Sequence, residues 1–323
     1  MTNALAPLNS SRPFRMKAGI SRVEDLANGV EALSLAAVGA KTVYYCDGNA
    51  GVDTNSGVGG WENSFKTLTV ALAASQADIS LNKYGWAARN VIFCRGDAFT
   101  ENLVLLAQKT DVIGLGHWDR FPLCGLIGNH VPTAAANAGL GTRFFNFHFR
   151  AAAAGGDIWT LDSTVAGLSF INCRFDSMSS TTATAAIVAT ASTDLVIQGC
   201  EFPGKWSDST IEIAAGDAFG LRILDNYVEG ATDGIELNSA VTDSAGVTER
   251  YMLIKDNVVV SVDIGINDAS GLAYVIGNRV ITENAQGTAG AGAIVAGAKR
   301  MLDNRISASD VANAVVPAEG SLA

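Results

Sequence analysis

A chain of 323 residues with 34 Gly, 6 Pro and 17% charged residues has the make-up of a turn-rich β protein, which excludes a helical bundle and a disordered chain. The formal net charge of −10 argues against nucleic acid as a partner of the body, and no apolar run approaches the roughly twenty residues of a membrane-spanning helix. The five cysteines (Cys46, Cys94, Cys124, Cys173 and Cys200) are odd in number and lack a CxxC pair or a His at ligand spacing, which argues against a disulfide scaffold and against zinc.

Residues 1–22 hold Arg12, Arg15, Lys17 and Arg22 and no acidic residue, so an arm of +4 precedes a body of −14. With Pro7 and Pro13 it suits an extended segment, either a solvated terminus or a docking arm that grips an acidic neighbour. One short helix is expected at 20–33, with Ser21 as N-cap, Glu24 closing a capping box and Gly29 weakening its end. The apolar stretch at 32–40 lies far from the start and follows Glu24, Asp25 and Glu31, so it does not read as a secretory signal.

A strand at 42–46 follows, then the loop DGNAGVDTNSGVGGWENSF, then a helical run KTLTVALAASQA. In the loop Asp47, Asn49, Gly51 and Asp53 stand at alternate positions, as in a calcium loop. Val52 stands where an EF-hand needs Gly, however, and Val58 where it needs a bidentate Glu, so the loop reads as a Gly/Asn turn with only weak metal candidates. No cofactor is expected.

Six segments of the second half share a signature. LSFINCRF, LVIQGCEF, LRILDNYV, LIKDNVVV, YVIGNRVI and RMLDNRIS align on Cys173, Cys200, Asn226, Asn257, Asn278 and Asn304, at spacings of 27, 26, 31, 21 and 26 residues. Such a period, with short β-like runs in each repeat, marks a solenoid whose units bury their apolar faces only by stacking. Two columns are predicted to face inward: Phe170, Ile197, Ile223, Ile254, Val275 and Met301 before the ladder position, and Phe175, Phe202, Val228, Val259, Val280 and Ile306 after it. The residue just before the ladder is Asn172, Gly199, Asp225, Asp256, Gly277 or Asp303, which reads as a turn or an outward position. A further apolar strand centres on Ile187, Ile211, Ile235, Ile266 and Ile294, giving at least two strands per coil. Stacked Asn amides can share hydrogen bonds from coil to coil, so the column reads as structural, with Cys173 and Cys200 as stacked free thiols.

The order strand, Gly/Asn/Asp loop, SFKTLTVALAA helix and NVIFCRGDAFTENLVLL at 90–106 resembles the entry of pectate-lyase-like, right-handed parallel β-helix proteins, and the resemblance extends over about 42–310. It implies an all-β, single-stranded right-handed parallel β-helix at 41–310, between an N-terminal arm at 1–40 and a tail at 311–323. The helix would cap the first coil through Phe65, Leu68, Ala71 and Leu72. The superfamily includes lyases, hydrolases, esterases, epimerases and noncatalytic virion proteins, so the resemblance does not name an activity.

Polysaccharide chemistry needs carboxylates or a base projecting together from adjacent coils. The ladder edge offers Asp225, Asp256, Lys255 and Arg279 as catalytic candidates, although the same residues suit a solvated edge. The paired-Asp and Gly-His-Gly signatures of polygalacturonase-like hydrolases are absent, as is an acidic cluster like that holding calcium in pectate lyases. Among five tryptophans Trp118, beside His117, Asp119 and Arg120, is the candidate glycan platform. The leading expectation is a noncatalytic bacteriophage virion protein, a capsid-decoration or tail-associated β-helix. It would be homotrimeric, off the membrane, and anchored to the major capsid or another virion protein by its arm after assembly in the host cytoplasm. The alternatives are a tailspike-like polysaccharide lyase or hydrolase and a noncatalytic glycan-binding module.

Overall fold

The computed structural model describes residues 40–80, 89–96, 98–116, 124–133, 141–152, 155–177, 183–191, 193–204, 206–230, 232–243, 251–261, 263–282, 294–295 and 301–308. The arm with Arg12, Arg15, Lys17 and Arg22, the helix expected at 20–33, Trp86, Trp118 with its polar neighbours, and the tail at 311–323 lie outside them.

Three long sheets, all parallel, account for the described strands. The first has ten strands, from Ala40–Asp47 to Met301–Leu302; the second has nine, from Phe99–Thr100 to Arg305–Ala308; the third has seven, from Trp159–Leu161 to Ile294–Val295. Successive strands visit the sheets in rotation. Ser169–Ile171 lies in the first, Arg174–Asp176 in the second and Ile187–Thr190 in the third, and Val196–Gln198 returns to the first. This all-β arrangement fits a parallel β-helix. It has three strands per coil, because each ladder segment is two short strands bent at one residue.

The bend is made by backbone in the left-handed region. Asn146, Asn172, Gly199, Asp225, Asp256, Gly277 and Asp303 all have φ between +50° and +66°. Only Gly, Asn and Asp take that conformation at little cost, and only they occur in this row. A second such row precedes the first sheet, formed by Lys109, Gly141, Gly167, Asp194, Gly220 and Gly271. In three of those coils a buried leucine follows directly: Leu168, Leu195 and Leu221.

Both predicted inward columns are realised in register, with all members buried except Met301 and Ile306, which pack partly buried against the core. Phe149, Phe175 and Phe202 stack at 4.9 and 4.6 Å between ring centroids, and the column then passes to Val228, Val259 and Val280.

Between these columns runs the ladder. The Nδ2 of Asn226, Asn257 and Asn278 donates to Oδ1 of the next Asn at 2.9, 2.9 and 3.0 Å, and also to the carbonyl of Ile197, Ile223 and Ile254. The same Oδ1 accepts the backbone N–H of the preceding ladder residue, so every polar atom of the amide is satisfied. Cys173 and Cys200 reproduce this pattern with sulfur. Their thiols donate to the carbonyls of Phe144 and Phe170, and the Cys200 Sγ accepts the N–H of Cys173 at 3.4 Å. The row also continues upstream, through Phe147 to Cys124, whose thiol adjoins Cys94, which pairs with Cys46. All five thiols are free and buried.

The described helix, α1 (Leu68–Ser80), closes the N-terminal end, and the expected face of Phe65, Leu68, Ala71 and Leu72 is buried. Its first turn is held by two carboxylates. Asp53 Oδ1 accepts the N–H groups of Lys66 and Thr67, and Glu101 accepts those of Leu68 and Thr69, placing negative charge at the positive end of the helix.

Candidate functional site

The third sheet carries the densest group of interacting acids. Its inward column is Ile187, Ile211, Ile235, Ile266 and Ile294, and the next residue of each strand faces outward. Register therefore places Glu212 directly beside Glu236, one strand spacing of about 4.8 Å away. Asn238 Nδ2 donates to Glu212 at 2.9 Å, and the Ser209 hydroxyl donates to Glu236. At the sheet edge Thr160 donates to Asp157 at 3.2 Å and Asn267 to Asp233 at 3.1 Å.

The crowding is visible in the acidities. Burial, then the charges of Glu236, Asp208 and Asp157, raise the pKa of Glu212 above the usual carboxylate value. Burial likewise raises Asp157 and Asp233, against the hydrogen bonds from Thr160 and Asn267. A carboxyl group of raised pKa beside a second carboxyl group is the pairing that acid–base chemistry on a glycosidic bond employs. No group of three or more His, Cys, Asp or Glu side chains able to hold a metal ion occurs among the described residues.

The four catalytic candidates from the sequence lie elsewhere. Asp225 and Asp256 occupy the left-handed bend between the first and second sheets, where their backbone conformation explains their presence. Lys255 projects from the first sheet and pairs with Asp256 at 3.6 Å. Arg279 lies across the bend on the second sheet, in register between Val258 and Arg305. The bend thus stacks the two aspartates in one row and directs the two cations onto different faces.

The weak metal candidates hold the first loop together. Asp47 Oδ1 accepts the N–H groups of Asn49 and Ala50, and Oδ2 accepts Arg95 Nε at 2.8 Å. Burial raises the Asp47 pKa, but these bonds outweigh it and the net shift is downward. Gly51 is required here because a Cβ would stand 2.1 Å from the Phe65 carbonyl oxygen. Of the described tryptophans, Trp159 and Trp206 are buried, and Trp61 carries the Arg95 guanidinium 4.1 Å above its ring.

The Glu212–Glu236 pair had a signal in the sequence that went unused. Ile-Glu-Ile at 211–213 and Ile-Glu-Leu at 235–237 each set a carboxylate between two inward aliphatic residues, 24 positions apart. His130 is one of three histidines scattered over the early coils. It is fully buried against Trp159, its Nδ1 accepts the Leu103 N–H at 3.1 Å, and burial lowers its pKa to about 3, so it is a neutral core residue. Comparison of the chain with protein-family models, with curated proteins and with solved structures finds no match.

Proposed function

We propose that this chain is a noncatalytic structural protein of a bacteriophage particle, a pectate-lyase-like right-handed β-helix displayed on the capsid or tail as a homotrimer and anchored by its basic arm. The observation that carries this reading is the interior ladder, which links coil to coil from Cys173 to Asn304 through side chains that consume their own hydrogen-bonding capacity. Such an interior suits a persistent rod, and the aspartates at its bend serve backbone geometry. The charge division between an arm of +4 and a body of −14 supports anchoring through the arm. The test compares the full chain with one starting at Ala40, by mass photometry and by co-sedimentation with particles from the source sample. Particle binding that disappears on truncation, with β-rich circular dichroism unchanged, supports the reading; failure of the full chain to bind removes it.

A second reading, carbohydrate cleavage, is favoured by the Glu212–Glu236 pair. It expects polysaccharide depolymerisation that is lost in both Glu212→Gln and Glu236→Gln and retained in Asp256→Gly. Absence of cleavage across a panel of exopolysaccharides rejects it.

A further inference from the structure

A coil of this solenoid places one inward residue in each of the three sheets. In one coil these are Phe144, Phe149 and Trp159, whose rings meet at 5.4–5.7 Å across the interior. Near the other end they are Val275, Val280 and Ile294. The last described coil has Met301 in the first sheet and Ile306 in the second, in register with Val275 and Val280, and no third-sheet strand among the described residues. The third sheet therefore stops at Ile294–Val295, one coil short of the other two. There Ile294 is turned inward at 6% exposure and Val295 outward at 38%.

The chain beyond Ala308 has the residues to finish that coil. Ala, Val and Val at 314–316 repeat the Ala, Ile and Val of 186–188 and 293–295, in which the middle residue is the inward one. Six residues, 309–314, separate Val315 from the second-sheet strand Arg305–Ala308. Earlier coils use between four and eleven for the same crossing, from 231–234 before Ile235 to 283–293 before Ile294.

Backbone polarity explains the Pro317 that follows. In a parallel strand alternate residues direct their N–H groups to opposite neighbours. The Trp159 N–H donates forward, to the Ala186 carbonyl of the following coil at 3.0 Å, and the Thr160 N–H donates back, to the His130 carbonyl at 2.9 Å. Register aligns Trp159, Ile187, Ile211, Ile235, Ile266 and Ile294 in one column. With Val315 next in that column, Val316 donates back to the Ile294 carbonyl, and 317 is a position whose N–H points forward, away from the described coils. Proline there loses no bond to the coil behind and denies a donor to any strand ahead, which is the place of proline at a sheet edge. It also keeps Val316 extended.

We infer that 314–317 docks on the open edge of Ile294–Val295 as the third strand of the last coil, with Val315 inward, Val316 outward and Pro317 ending the sheet. The occupant is the chain's own tail, because the crossing from Ala308 has the length that the other coils use within one chain. The solenoid then extends past 310, and its end resists addition of a second copy. The inference is independent of particle anchoring and of the acidic pair.

Hydrogen exchange on the full chain, resolved to the Ile294 amide, tests this, since that N–H is a forward donor whose acceptor becomes the Ala314 carbonyl. The amide is protected in wild type. Val315→Asp, which places a carboxylate inside, and Val316→Pro, which removes the backward bond, each accelerate its exchange about tenfold. Val316→Asp, on the outward side, leaves it unchanged. Free exchange at Ile294 in wild type overturns the proposal, as does protection unchanged in both Val315→Asp and Val316→Pro. A Val295→Cys, Val316→Cys double variant treated with a short bismaleimide identifies the occupant. One linker spent on both thiols of a single chain supports the chain's own tail, whereas a product of doubled mass places the strand on a second copy and overturns that assignment. Pro317→Val restores the forward N–H and gives larger species with rising concentration by light scattering; an unchanged mass removes the sheet-ending role of Pro317. Particle co-sedimentation is read separately, so failure here leaves the anchoring reading standing.

Discussion

The ladder defines what a single side chain contributes in this molecule. Asn257→Ala removes the acceptor of both the Asn226 N–H and the Asn226 side-chain amide, leaving buried donors unpaired. A buried polar group left unpaired costs about 1–3 kcal/mol, so the expected loss is about 2–5 kcal/mol, read as a lower denaturation midpoint. Asn257→Cys loses less, because Cys200 already makes the corresponding contacts with sulfur in the same row. Equal losses in the two variants would remove the equivalence of thiol and amide. His130 gives a second prediction, with a sign fixed by burial. Its folded pKa, about 3, lies below the ordinary value of 6.5, so the native state binds fewer protons there than the unfolded chain. The corresponding stability is present above pH 6.5 and is lost as pH falls toward 3. His130→Gln, which retains an acceptor for the Leu103 N–H, therefore shows a shallower acid destabilisation by circular dichroism between pH 6.5 and 3.

Elements here are single strands and the bends between them, and what was legible in the sequence divides along that line. The inward columns and the first bend could be read because a side-chain type recurs wherever the backbone or the core demands it, as with Phe170 to Val275 and Asn172 to Asp303. The second bend was equally marked by Gly167-Leu168, Asp194-Leu195 and Gly220-Leu221, yet outward positions carry no such constraint. The Glu212–Glu236 pairing depends on register across loops of unequal length, which ladder spacings from 21 to 31 residues conceal. Cys124 precedes the ladder through Phe147 at intervals of 23 and 26 residues, but an aromatic residue between two thiols hides the row, and Cys94 and Cys46 stand in register with Gly114 of the first sheet. Two predictions belong at this scale. Asp256→Gly is neutral for stability, whereas Asp256→Val costs about 1–2 kcal/mol because a branched residue must adopt positive φ; similar midpoints for the two would show the bend relaxing. On the third sheet the raised pKa of Glu212 makes the native state bind more protons than the unfolded chain above the ordinary carboxylate range. Its contribution is therefore lost as pH rises above the ordinary carboxylate value of 4.5, and Glu212→Gln gains stability relative to wild type over that rise. A difference that stays constant with pH would show that Glu212 titrates alike in both states.

At the scale of the whole molecule the interior changes character along its axis. From Phe144 to Phe202 it is filled by aromatic rings in mutual contact, with Trp159 against Phe144, Phe149 and Phe170 at 5.2–5.4 Å. Toward Asn304 it is filled by Val and Ile on either side of the amide row, and the last described coil leaves Met301 and Ile306 only partly buried and Leu302 42% exposed. Each coil of a solenoid touches only its neighbours, so local stability follows local burial instead of being shared evenly through one core. Buried aromatic side chains remove more apolar area from water than Val, and the rings add pair contacts. Hydrogen exchange followed by mass spectrometry should therefore find the slowest amides in Phe144–Phe202 and progressively faster ones through Val259 and Val280 to Ile306. The ladder opposes this gradient, because an amide whose Oδ1 holds a neighbour's N–H couples adjacent coils. Asn278→Ala should then accelerate exchange at 301–306 while leaving Phe144–Phe202 unchanged. Acceleration spread evenly over the chain would mean that the coils unfold as one cooperative unit and that the ladder transmits stability along its full length.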